Sequence, residues 1–199
     1  MSGTLIVQNI QGPSSGANAN KIIIPSGQTL DASAGFVPPA GSVVQVLQAY
    51  KTDVSSISST TYASIAGLSV NITPTSTSSK ILVSMSVAFS ARTQLDSLYA
   101  AFGKNGSVLT ASIADAASNR PRATLSIFPG DATGVDNFQG HGTQTYLDSP
   151  ATTSQITYSV MMRTANGNAM NINRTWSDRD TIGYDGRWTS SITVMEIAG

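Results

Sequence analysis

The chain has no cysteine, a single histidine, and only eleven basic and eleven acidic residues among its 199. Without cysteine there is no disulfide framework, no thiolate zinc site and no cysteine nucleophile, so whatever holds the fold is non-covalent. Charged residues are 11% of the chain, against roughly 25% in ordinary soluble domains. They are scattered and sum to zero, which is not the basic footprint of a nucleic-acid binder. No apolar run approaches the ~20 residues of a membrane span. The opening Met-Ser-Gly-Thr-Leu-Ile-Val-Gln has neither the basic start nor the long apolar core of a secretory signal. The expectation is a protein made in a cytoplasm, with neither nucleic acid nor membrane as partner.

Serine and threonine fill the gap left by charge, with 51 residues between them. They suit turns and the solvent faces of strands better than helix interiors, which points to an all-β protein. Asn71, Asn105 and Asn173 each open a glycosylation-like triplet; with no secretory signal, chance matches are the better reading.

The clearest structural signal is Ser79–Arg92. Ile81, Val83, Met85, Val87 and Phe89 alternate with small residues, Leu82 excepted, at the two-residue period of a strand with one buried face. Such a strand needs neighbours on both edges and a second sheet across its apolar side.

The first forty-one residues differ from the rest. Leu5–Ile10 and Lys21–Ile24 read as short strands around the loop Gly12-Pro13-Ser14-Ser15-Gly16, and Gly35 with Pro38-Pro39 reads as a stiff linker. Residues 1–41 are expected to form an extended arm that orders only against copies of itself or a docking surface, and residues 42–199 the domain.

From Ser42 onward, strands follow at regular intervals. Val43–Tyr50 is apolar on both faces at its centre and is expected to be covered on two sides. Thr61–Asn71, Val108–Ile113, Ala123–Phe128, Thr143–Leu147, Gln155–Arg163, Asn168–Asn173 and Trp188–Ile197 read as further strands, and Asp131–Gly142 as a glycine-rich loop. Residues 94–102 fit helical spacing as well, but Asn105-Gly106 is a hairpin turn signal and favours a strand. Asn166-Gly167 reads as a second hairpin turn, giving nine to eleven strands in all.

Three segments taken together are distinctive: Ile-Thr-Pro-Thr-Ser-Thr-Ser-Ser-Lys-Ile-Leu-Val (72–83), Ile-Thr-Tyr-Ser-Val-Met-Met-Arg-Thr-Ala-Asn-Gly (156–167) and Ser-Ser-Ile-Thr-Val-Met-Glu-Ile (190–197). They resemble the C-terminal domains of bacteriophage fibre proteins, especially those of marine and cyanobacterial phages. Lys-Ile-Ile-Ile-Pro-Ser-Gly-Gln-Thr-Leu (21–30) is similar to the segment that often precedes such domains. The resemblance implies an antiparallel β-sandwich, a jelly roll of the tumour-necrosis-factor-like kind, assembled as a homotrimer on a virion. It further implies that strands 43–50, 189–197 and 79–92 share one sheet facing the threefold axis. Val44, Val46, Ser84, Ser86 and Ala88 would then lie at the trimer interface, and Leu5, Ile6, Val7 and Ile10 would anchor the arm to other virion proteins. Only about forty residues precede the domain, so a capsid decoration protein stands as the alternative to a tail fibre or spike.

Catalytic signals are sparse. His141 sits in Gly140-His141-Gly142 and reads as a surface or turn residue, and no strand-to-helix Gly-x-Ser-x-Gly elbow supplies a partner nucleophile. No residues have metal-ligand spacing, so neither a metal nor a cofactor is expected, nor an enzyme; a small polysaccharide depolymerase is a remote alternative. Arg174–Arg187 is denser, with Arg174, Asp178, Arg179, Asp180, Asp185 and Arg187 interleaved with Trp176, Tyr184 and, just beyond, Trp188. Aromatics beside charged hydrogen-bonding groups on a loop suit a host-surface glycan. The competing reading is a loop whose ion pairs and tryptophans lock a subunit contact.

Overall fold

The computed structural model of the chain describes residues 10, 12–19, 21–29, 37–91, 97–127, 138–183 and 185–199, with Phe138 described by its backbone alone. The chain divides into two compact units, Met1–Val37 and Pro38–Gly199. In the first, a turn at Gly16–Ala19 is closed by Ala19 N–H donating to the Gly16 carbonyl. Lys21–Ile24, expected as a strand, has no sheet partner among the described residues and leaves Ile22, Ile23 and Ile24 exposed. A four-residue apolar run cannot offset its ordering cost without a second strand beside it. Ile10 is exposed, and Leu5, Ile6 and Val7, expected to anchor the arm with it, lie outside the described residues.

The second unit is an all-β, antiparallel sandwich. Its strands are β1 (Val43–Lys51), β2 (Ser55–Ile57), β3 (Ala63–Ile72), β4 (Lys80–Ala91), β5 (Leu98–Lys104), β6 (Ser107–Val108), β7 (Leu125–Ile127), β8 (Phe138–Asp148), β9 (Ile156–Thr164), β10 (Met170–Ile172) and β11 (Ser190–Ile197). One sheet runs β1-β11-β4-β10-β2 with β8 also on β4, and the other runs β3-β9-β5-β6 with β7 also on β5. Numbering only β1, β3, β4, β5, β7, β8, β9 and β11 as one to eight gives sheets 1-8-3-6 and 2-7-4-5. That is the strand order of a jelly roll, and it places 43–50, 189–197 and 79–92 in one sheet as expected.

The alternation in β4 is realised in full. Ile81, Val83, Met85, Val87 and Phe89 are all buried, packed with Ile192 and Val194 of β11 against Tyr158, Val160 and Met162 of β9 and Phe102 of β5. β4 is hydrogen-bonded along one edge to β8, from Ile81↔Asp148 to Ala91↔Phe138. Along the other edge it pairs with β11 and then β10. At one end of the sandwich the Asp148 carboxylate accepts from Tyr158 Oη and Lys104 Nζ, tying β8 to β9 and β5 across the two sheets. Burial, then that hydrogen bond, pushes the Tyr158 hydroxyl far above its ordinary range.

Several expected elements differ. Asn105-Gly106 does form the tight turn between β5 and β6, with both residues at positive φ. However, β6 ends at Val108 and Thr110–Ser112 is a 3-10 turn, because the Ser112 hydroxyl and N–H both return to the Leu109 carbonyl. Asn166-Gly167 does not close a hairpin: β9 belongs to one sheet, whereas β10 crosses to the other and pairs with β4 and β2. The glycine-rich loop is partly strand. Gly140, His141 and Gly142 lie within β8, where a Cβ at Gly140 would collide with the Phe89 ring and one at Gly142 with Leu125 Cδ2. Glycine there makes room for core side chains rather than for a turn. Finally, β1 is an edge strand whose outer face is open within one chain: Val46 is 53% exposed and Tyr50 60%.

Candidate functional site

The candidate surface lies on the outer face of the β1-β11-β4-β8 sheet, whose cross-strand partners form rungs. One rung is Val46, Met195, Leu82 and Leu147; the next is Gln48, Thr193, Ser84 and Thr145; then come Tyr50, Ser191, Ser86 and Thr143. Residues opposite one another on neighbouring strands share a face, so the first rung is an apolar row across four strands. It is open, with Leu147 45% exposed and Val46 more so. The middle rungs are hydroxyl-lined and knit by Gln48 Nε2 to Thr193 Oγ1 at 2.8 Å and a Ser84–Thr145 hydroxyl pair at 3.0 Å. A shallow trough of about 490 Å³ lies over Ser84, Ser86, Thr143, Thr145, Ser191 and Thr193. Val44 falls at the register shift between Val43 and Gln45 and is half-buried.

Ala88, expected on the interface, is only 3% exposed within one chain. It lines a second cleft, of about 600 Å³, with Gln139, Gly140, His141, Arg187, Trp188 and Thr189. Here His141, dismissed in the sequence as a loop residue, projects from β8 on the outer face and lies 2.8 Å from the Ser86 hydroxyl through Nε2. The signal that could have found it is the Gly-His-Gly spacing itself, since alternation of small inward and large outward residues is a strand pattern.

The loop that delivers Arg187 and Trp188 is organised by Asn173. This residue is fully buried with φ of 64°, in the left-handed region. Its Nδ2 donates to the carbonyls of Lys51 and Asp53, its Oδ1 accepts from Ser190 Oγ at 2.6 Å, and its N–H donates to the Ala88 carbonyl. Trp188 N–H returns to the Asn173 carbonyl and Arg174 bridges Arg187, closing the loop at its base. A side chain so enclosed cannot be an acceptor for glycosylation, and sequence reading noticed Asn173 only as a chance triplet.

The charges in the loop largely pair with one another. Arg174 and Arg187 both meet the Asp178 carboxylate, at 3.2 and 2.7 Å, and Arg179 meets Asp185 at 2.9 Å. The Thr175 hydroxyl, then Arg179, holds the Asp185 carboxyl below its ordinary range. Asp178, Arg179, Asp180, Thr181, Ile182 and Asp185 line a further hollow of about 480 Å³ made by the loop alone. Trp176 is half-buried, and Tyr184 lies outside the described residues. The structure thus divides the expected set: Arg187 and Trp188 reach the sheet-face cleft, Arg187 also borders the loop hollow, and the remaining charged residues shape the loop.

Among the described residues no cluster of three or more His, Cys, Asp or Glu could hold a metal, and no helix is long and apolar enough to cross a membrane. Gly12-Pro13-Ser14-Ser15-Gly16 matches the letters of a nucleophile elbow, but it lies in a bend with no helix among the described residues that follow.

No family model matches this chain. No curated protein matches it either. Among solved structures, the VP2 subviral particle of infectious bursal disease virus is similar at 15% identity and a TM-score of 0.35, over 94% of this chain and 41% of that one. The chain therefore spans less than half the length of that protein.

Proposed function

We propose that this chain is a virion structural protein, a jelly roll that assembles as a homotrimer and projects from a bacteriophage particle as a short fibre or spike, with host-surface glycan as its ligand. The observation that carries the reading is the open outer face of the β1-β11-β4-β8 sheet. An apolar row of four cross-strand residues, two of them about half exposed, supports a surface that meets another protein. The neighbouring rungs are small and hydroxylated, which lets another copy approach closely. Copies of the same chain packed through the rungs of Val46, Ser84 and Ser86 would cover these together and leave the end of the face at Ala88 and His141 open to ligand. Residues 1–41, with Leu5, Ile6, Val7 and Ile10, would attach the trimer to other virion proteins. Trimerisation also sets three ligand sites at short range, so weak individual contacts add up to useful avidity.

Immunogold labelling of intact particles with antibody against this chain tests the reading. Label on a tail structure supports a fibre or spike, label over the head supports a decoration protein, and particles without label contradict the virion assignment altogether.

A further inference from the structure

We propose that the cleft between Trp188 and His141 binds a sugar ring that carries a carboxylate, such as a uronic or sialic acid. The inference deepens the glycan part of the function proposed above and takes from it only the source of the ligand.

The volume, about 600 Å³, lies within the roughly 300–1,000 Å³ of small-ligand sites. One wall is the Trp188 indole, which lies close against Gly186 and offers an amphipathic aromatic surface to a sugar's C–H face. Around it stand amide, imidazole and hydroxyl groups from Gln139, His141 and Thr189, a donor and acceptor set suited to ring hydroxyls. The rung next to Ala88 and His141 on the same face pairs Ser90 with Gln139 on one side and with Asn171 on the other. Ser90 and Asn171 are both buried, yet Ser90 Oγ and Asn171 Nδ2 have no hydrogen-bond partner among the described residues. They are unsatisfied polar atoms one rung from the cleft, behind its lining.

Charge selects the acidic sugar. No carboxylate lines the cleft among the described residues, and its guanidinium, Arg187, has a side chain 59% exposed. Arg187 shares the Asp178 carboxylate with Arg174 and is the one Lys, Arg, Asp or Glu among the described residues that line the cleft. An incoming carboxylate would meet an arginine able to make a charge-assisted pair.

The test uses the full chain with Trp176→Phe, which leaves Trp188 as the sole tryptophan, and follows its fluorescence. The probes are D-glucuronate, D-galacturonate and N-acetylneuraminate, with D-glucose and acetate as controls at matched ionic strength. The expected result is a saturable response to at least one acidic sugar, with glucose and acetate weaker by about 10-fold or more. Arg187→Gln should bring the acidic sugar down to the level of glucose while thermal unfolding stays unchanged. Equal binding of glucose would overturn the acidic preference, and equal binding of acetate would reduce the site to an anion contact. No response to any sugar from a folded protein would overturn the proposal. Light scattering on the same samples separates the two readings. A trimer that ignores every sugar removes this inference alone, and a monomer that binds one removes the trimeric spike alone.

Discussion

The Ser190 hydroxyl donates to the side-chain oxygen of Asn173 over 2.6 Å, and the same hydroxyl oxygen accepts the N–H of Ala88 at 3.0 Å. One buried contact thereby joins the base of the charged loop to the first residue of β11 and to the floor of the cleft on β4. The position of Trp188 and Arg187 depends on this junction more than on the ion pairs at the loop's rim, since exposed pairs contribute only about 0.2–1 kcal/mol each.

Asn173→Ala should therefore be the costliest single change in the loop. It takes the Nδ2 donor from the carbonyls of Lys51 and Asp53 and the acceptor from the Ser190 O–H, at about 1–3 kcal/mol for each group left buried without a partner. It also puts alanine in a left-handed conformation, costing roughly 1–2 kcal/mol. Urea unfolding should show a loss of several kcal/mol, whereas Asp180→Ala, on the exposed rim, should shift the midpoint little.

At Gly140 the expected defect is overpacking. An added methyl collides with the Phe89 ring, so Gly140→Ala should lose about 1–3 kcal/mol. Phe89→Leu in the same chain should recover part of that loss, because the two residues contact one another and their effects are not additive. A double-mutant cycle by chemical denaturation measures the coupling. Strictly additive effects would show that the ring does not occupy the space above Gly140.

Acid should loosen the sandwich through Glu196, the chain's only glutamate. Its carboxylate is buried and accepts from Gln45 Nε2, from the N–H and hydroxyl of Thr75, and from the Ser79 hydroxyl. Burial alone would raise its pKa; the hydrogen bonds from Gln45, Ser79 and Thr75 outweigh that and hold it below the ordinary 4.5. A carboxyl depressed in the fold stabilises at pH values above its ordinary pKa, and that stability is lost as pH falls from there through the lowered value. Urea midpoints measured from pH 7 downward should drop below about pH 4.5, and Glu196→Gln should start lower at pH 7 and follow a flatter curve.

How much of this was legible in the sequence depends on which contacts fix each element. β4 was readable because Ile81 through Phe89 alternate without interruption, and the Asn105-Gly106 turn because its chemistry is local. The start of β8 was hidden, since Gly140 and Gly142 look like loop residues until Phe89 and Leu125 are seen filling the space in front of them. The crossing of β10 into the other sheet was hidden likewise, because Asn166-Gly167 encodes a reversal but not which sheet receives the next strand. At the site, Arg187 and Trp188 stood out by composition. Their cleft partners His141, Gln139 and Ala88 come from β8 and β4, distant in sequence, and only strand register brings them together.

The central claim is that copies of this chain meet through the outer face of the β1-β11-β4-β8 sheet, and size-exclusion chromatography with light scattering tests it most directly. The wild-type chain should have three times the protomer mass. Ser84→Arg places a large cation in the hydroxyl-lined trough without touching the core face of β4, and should run as a folded monomer. A monomeric wild type, or a Ser84→Arg variant that remains trimeric, would contradict the account.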